Sequence, residues 1–146
     1  MRTLVSKLRN RGKDERGAAL VEFAIMAILL FSLLFGMVEY GWVFANNLDA
    51  RHGAREAARL AAVNWGGSQA IADETCDRMD IQGGAIFTFT GGGSPVGSVG
   101  TVAIDIPYTP LVGLPFIPTP TNLRSQVEIR LEQASTWTNI TTTACP

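Results

Sequence analysis

One segment restricts this chain more than any other: the run AALVEFAIMAILLFSLLFGMV, residues 18–38, carries a single charge, Glu22. As a helix rising 1.5 Å per residue it is long enough to cross about 30 Å of hydrocarbon. Arg2, Lys7, Arg9, Arg11, Lys13 and Arg16 precede it, opposed only by Asp14 and Glu15, and no lysine follows Lys13. Basic residues on the N-terminal side of a span hold that side in the cytoplasm, so the remainder is expected to be extracytoplasmic. Tyr40 and Trp42 then fall where an aromatic belt meets the headgroups.

The formal net charge of the 146 residues is -1, yet the positive charge is concentrated in the leader and the rest of the chain is acidic. A nucleic-acid binder would carry its positive charge on the folded part, where it could track phosphates, so nucleic acid is set aside as a partner. An ordinary secretory signal is one rival reading, with Val43 and Ala45 as small residues near a cleavage point, but the apolar run exceeds the usual h-region. A plain signal anchor explains the hydropathy equally well. Gly17 and Glu22 are the residues that can separate it from a more specialised segment.

Those residues carry a resemblance. The stretch RGAALVEFAIMAILLFSLLFGMVEYGWVFANN, followed by ARHGAREAARLAAV, resembles the TadE-like family of pilin-related proteins of the tight-adherence (Flp) pilus system. The likeness covers roughly residues 16–64 and continues more weakly through YTPL and the final strand. It implies cleavage by a prepilin peptidase between Gly17 and Ala18, with Glu22 as the fifth residue of the mature chain. In pilins the equivalent glutamate pairs with the new N-terminal amine of a neighbouring subunit, which the resemblance implies for Glu22 and Ala18. It also implies a minor pseudopilin role in assembly, because the major Flp pilins are much shorter. The expected partners are the prepilin peptidase, other pilin or pseudopilin subunits, the inner-membrane assembly platform and membrane lipid.

Physical chemistry gives Glu22 two readings. A carboxylate deep in a span costs roughly 2.5–3.5 kcal/mol on insertion scales, which favours a partner. Cleavage would supply one, since an α-amino group with a reference pKa of about 8 is largely protonated at neutral pH. Alternatively, Glu22 lies in the first turn of the mature helix near the headgroups and complements the helix dipole.

Beyond Val38 the helical pattern runs without proline to about Asn64, and Gly66 and Gly67 suit a C-terminal cap. Ala50, Ala54, Ala57, Ala58, Ala61 and Ala62 form a face of small side chains that lets another backbone approach. Arg51, Arg55 and Arg59 recur at i, i+4, i+8 on a neighbouring face, as either a solvated stripe or a subunit contact. His52, the single histidine, has no companions at ligand spacing, so no metal site is expected.

Ser68 can cap a short second helix over about Gln69 to Met79. From Gly83 the pattern turns to alternation: AIFTFT places Phe87 and Phe89 on one face, TVAIDI places Val102, Ile104 and Ile106, and QVEIRL places Val127, Ile129 and Leu131. The expected fold class is α+β, with a small antiparallel sheet packed on the long helix, as in pilins. The expected divisions are a leader at 1–17, a span at 18–38, an outer helix at 39–64 and an extracytoplasmic domain at 65–146.

Cys76 and Cys145 are an even pair in the exported part, which fits one disulfide, two free buried thiols being the alternative. Such a bond would close about 70 residues and contribute roughly 4 kcal/mol in the chain-entropy model. GGGSPVGSVG is read as a flexible hairpin connection; it lacks the Lys-Ser/Thr ending of a phosphate loop. Five prolines between Pro107 and Pro120 hold a loop extended, while Leu111, Val112, Leu114, Phe116 and Ile117 either pack over the sheet or meet a partner. Asn139-Ile140-Thr141 is a sequon read as incidental. No nucleophile, base and orienting group come together, so neither catalysis nor a cofactor is expected. An unprocessed, signal-anchored binding module is the alternative to the pilin-like reading.

Overall fold

A computed structural model of the chain describes residues 2–80, 84–113 and 117–145, with side chains from Gly17 onward. It contains α1 (Arg2–Ala62), α2 (Ser68–Cys76), β1 (Ala85–Thr90), β2 (Val99–Pro107), β3 (Asn122–Arg130) and β4 (Ile140–Ala144). The architecture is α+β. The chain divides into two compact units, Met1–Glu39 and Tyr40–Pro146.

α1 begins within the leader rather than at Ala18, because no proline or helix-breaking run interrupts residues 2–62. The leader's basic side chains, Arg2 to Arg16, lie outside the described side chains. The outer end of the helix also differs from expectation. Asn64, not Gly66 or Gly67, adopts the left-handed conformation, with φ of 52°. Its N–H donates to Ala61 O at 3.2 Å and that of Trp65 to Leu60 O at 3.0 Å. These two bonds make a Schellman cap, and asparagine is the residue after glycine best able to occupy its left-handed position.

In the second unit the four strands form one antiparallel sheet in the order β3-β2-β1-β4. Alternation works as the sequence predicts: Phe87 and Phe89 on β1 and Val102, Ile104 and Ile106 on β2 are all buried. Val127 and Ile129 pack against them from β3, while Gln126, Glu128 and Arg130 are exposed. Phe89 pairs with Val102, and Val102 with Val127, so the register stacks apolar side chains in a row across three strands. β4 is an addition to the three expected strands. Its sequence, ITTTA, has no apolar alternation, and it is held by pairing with β1 from Ala85↔Ala144 to Phe89↔Ile140.

The alanine face of α1 belongs to this core: Ala50, Ala54, Ala57 and Ala61 are fully buried. Gly53 belongs to the same face, where a β-carbon would lie 2.2 Å from Met79 Sδ and 3.2 Å from Ile104 Cδ1. Small residues here let the helix lie close to the bulky side chains of β1 and β2. The small-residue stripe is thus consumed inside the domain.

α2 starts at Ser68 but its cap position is Gly67, and no side chain caps it. The Ser68 hydroxyl is committed elsewhere: it donates to Thr138 O at 2.7 Å and accepts from Thr138 N at 3.2 Å. The helix also stops at Cys76, short of Met79, as tighter turn bonds take over from Thr75 O and Cys76 O. Cys76 and Cys145 form a disulfide that joins the end of α2 to the end of β4, across 69 positions of sequence. The glycine-rich connection between β1 and β2 is stitched down rather than flexible. Gly92 N donates to Asn139 Oδ1 at 2.6 Å, Ser94 N to Ser135 Oγ at 3.0 Å, and Gly97 N to Leu131 O at 2.8 Å.

Trp137 closes the core from the segment between β3 and β4. It is 1% exposed, its ring lies 6.0 Å from that of Phe89, and its Nε1 donates to Ala61 O at 3.0 Å. Gly92 makes room for it, since a β-carbon there would lie 2.3 Å from the Trp137 carbonyl oxygen. Trp137→Ala should lower unfolding free energy by about 3–5 kcal/mol, the range for truncating a buried tryptophan, as read from denaturant midpoints of the purified full chain. Cys76→Ser should lower it by about 2–5 kcal/mol, and a reducing agent should destabilise the wild type while leaving that variant unchanged.

Candidate functional site

The large apolar side chains of residues 20–38 face outward. Leu20, Phe23, Ile25, Met26, Ile28, Leu29 and Leu30 are each more than 60% exposed. The helix has a mean hydropathy of 2.5 in its most apolar window, none of which is buried within the chain. So large an uncovered apolar surface cannot be left in water. Its length and composition fit a single-pass membrane anchor.

Gly17, Ala18 and Glu22 lie on consecutive turns at the start of this span, all exposed. A β-carbon at Gly17 would meet nothing within 4 Å, so packing does not require glycine there. Helical spacing puts Glu22 one turn from Ala18, on the same face. Among the described residues nothing hydrogen-bonds to the Glu22 carboxylate or forms an ion pair with it. Only Ser32, farther along, uses its hydroxyl locally, donating to Ile28 O at 2.6 Å. Glu39, just past the span, is buried at 1% exposure, a placement hydropathy alone did not reveal.

On the outer half of α1 the three arginines part company. Arg59 donates to Glu56 through Nε at 3.1 Å and Nη2 at 2.7 Å. Glu56 also receives Arg78, which bonds Glu74 as well, so this acid links α1 to the turn after α2. Arg51 and Arg55 are exposed and, among the described residues, form no ion pair. His52 beside them is exposed too, and no group of three metal-ligating side chains occurs among the described residues.

The proline-rich loop after β2 is the third expected site. Tyr108 is buried and its N–H donates to Thr121 O at 3.0 Å, which closes the loop at its base. Tyr40 Oη donates to Pro118 O at 3.1 Å. Leu111 is 57% exposed, and Phe116 lies with Leu114 outside the described residues. A groove of about 220 Å³ is lined by Trp42 and Asn46 of α1 with Tyr108, Pro110, Leu111 and Leu123. Sequence reading found the loop and the aromatic pair separately; the contact between them depends on the fold.

The Arg59 hydrogen bonds, with the nearby positive charges of Arg59 and Arg78, hold the Glu56 carboxyl below its ordinary value of 4.5, against a smaller opposing effect of burial. A folded-state value below the unfolded one adds stability above pH 4.5, lost as pH falls through the folded value. Because Arg59 is largely exposed, the gain is below about 1 kcal/mol. Glu56→Gln should therefore cost little at pH 7 and flatten the acid limb of stability against pH, measured by denaturant unfolding at pH 7 and pH 3.

No curated protein and no solved structure matches the chain. Residues 17–59 match the family model described as TadE-like protein. The matched segment opens at Gly17, takes in the apolar span with Glu22, and ends at Arg59, the last of the outer arginines. Over that segment the chain is similar to TadE-like proteins.

Proposed function

We propose that this protein is a pilin-like, minor pseudopilin subunit that acts in assembly of a tight-adherence pilus, and that a prepilin peptidase cuts it after Gly17. One observation carries the reading. The family match begins at Gly17, and the residues that follow are Ala18, the exposed carboxylate Glu22 and an uncovered apolar helix. The leader stays in the cytoplasm and the Tyr40–Pro146 unit lies outside.

Cleavage leaves an ammonium on Ala18. The Glu22 carboxylate of one subunit then pairs with that ammonium on the next, which offsets the cost of holding a charge in hydrocarbon. Exposed Arg51 and Arg55 serve as contacts with neighbouring subunits or the assembly platform. The protein does no catalysis in this scheme; its work is association in the membrane.

The rival is an unprocessed anchored binding module that uses the groove beside Trp42. It needs neither Gly17 nor Glu22. Intact-mass analysis of the protein purified from membranes should give a chain beginning at Ala18, and Gly17→Leu should retain the leader. Space around Gly17 makes that substitution neutral for folding. A full-length wild-type chain would overturn the pilin reading. Glu22→Ala should insert normally and be processed, yet reduce surface pili severely; undiminished piliation would remove the pairing role.

A further inference from the structure

We propose that the exposed face of the outer part of α1, between Gly41 and Arg55, docks against the same face of a second copy of this chain. The inference deepens the contact role given to Arg51 and Arg55 above and does not depend on cleavage at Gly17. At 3.6 residues per turn, Gly41, Ala45 and Leu48 form the middle of this face. Gly41 and Ala45 are exposed, and Leu48 is 50% exposed. A β-carbon on Gly41 would meet nothing within 4 Å, so no contact inside the chain requires glycine there. Small side chains at both positions let a second helix come close enough to reach Leu48.

Charge is divided across the face. Arg51 and Arg55 lie on one flank, roughly 20–60° around the helix from Leu48, and Asp49 lies on the other, about 100° away. The turn after α2 adds to the acidic flank. Arg78 bonds Glu56 and Met79 lies against Gly53, which places Asp77 and Asp80 on the Asp49 side of α1. Both arginines and both of these aspartates are exposed, and Asp49 is half-buried. Among the described residues none of the five side chains has a hydrogen bond or an ion pair. Arg59 and His52 lie between the flanks, and Arg59 is already neutralised by Glu56. Cations without partners are thus left on one side and carboxylates without partners on the other.

That division is self-complementary. A two-fold axis along the outer helices sets the basic flank of each copy against the acidic flank of the other, with Leu48 meeting Leu48 near the axis. A different protein would need a matching pattern of its own, whereas a second copy carries it already. Exposed ion pairs stabilise only weakly one by one, so the contact relies on the high local concentration of chains anchored in one bilayer.

The test uses the full chain with its disulfide intact, reconstituted in phosphatidylcholine vesicles. Cys76 and Cys145 are joined, so copper–phenanthroline oxidation acts on a thiol introduced by Leu48→Cys or Val96→Cys. Leu48→Cys should give disulfide-linked dimers; Val96→Cys, 63% exposed but outside this face, should not. In the Leu48→Cys chain, Arg51→Asp with Arg55→Asp should abolish the dimer, and so should Asp77→Arg with Asp80→Arg, since each pair of changes makes the two flanks alike. Mixing the two charge variants should restore it, because an acidic face then meets a basic one. With the flanks unchanged, raising the salt from about 0.05 M to about 0.5 M should also suppress the dimer, as screening shortens the reach of each charge. Absence of the Leu48→Cys dimer, its survival in both charge variants, its indifference to salt, or a mixture that fails to restore it would each overturn the proposal. None of these outcomes bears on the N-terminal residue of the mature chain, so the pilin reading stands or falls separately.

Discussion

The outer domain depends on how the C-terminal end of α1 is satisfied. A helix ends with carbonyls that have no partner of their own, and burying them unpaired is costly. Here Leu60 O receives Trp65 N, Ala61 O receives Asn64 N and Trp137 Nε1, and Ala62 O receives Glu132 N at 2.9 Å. Asn64 itself accepts from the Thr136 backbone and hydroxyl through Oδ1. Residues 132–137 are thereby anchored to the helix terminus, which seats Trp137 over Phe89 and lets Asn139 and Ser135 tie down the glycine-rich connection. One helix end organises three separate stretches of chain.

That arrangement explains why some features could be read from sequence and others could not. The span, its basic flank and the Gly17, Ala18 and Glu22 register are local patterns, visible as composition and spacing. β1, β2 and β3 announce themselves by a period of two, because Phe87, Val102 and Val127 must share a face. β4 does not, since Thr141, Thr142 and Thr143 carry no alternation and their placement follows from pairing with β1 and the Cys145 linkage to α2. Gly66 and Gly67 looked like the cap by composition, but Asn64 had tertiary partners in Thr136 that no local rule supplies. Ser68 departs from the local capping rule for the same reason, its hydroxyl being committed to Thr138.

The candidate site is legible to a different depth in each part. Arg51, Arg55 and Arg59 are equivalent as a spacing, and only the fold distinguishes Arg59, whose partner Glu56 is shared with Arg78. The alanines illustrate the opposite case. Their spacing invites a neighbouring helix, but the sheet and Met79 already occupy that face. Glu22 is unpaired among the described residues, consistent with a partner on another chain, and a single chain's fold offers no local signal for such a contact.

The outward face of the sheet has a consequence for a protein confined to two dimensions. Molecules tethered in one bilayer meet at high effective concentration, and an open apolar strand would invite strand addition between them. β3 instead alternates Arg124, Gln126, Glu128 and Arg130 on its solvent side, with Asp105 3.9 Å from Arg124 on the adjoining strand. The opposite edge, β4, is five residues long and flanked by α2 through the Gln69–Thr142 hydrogen bond. Charge and shortness make both margins poor templates for a neighbour's strand. Under the proposed membrane placement, lateral crowding does not extend the sheet from one molecule to the next.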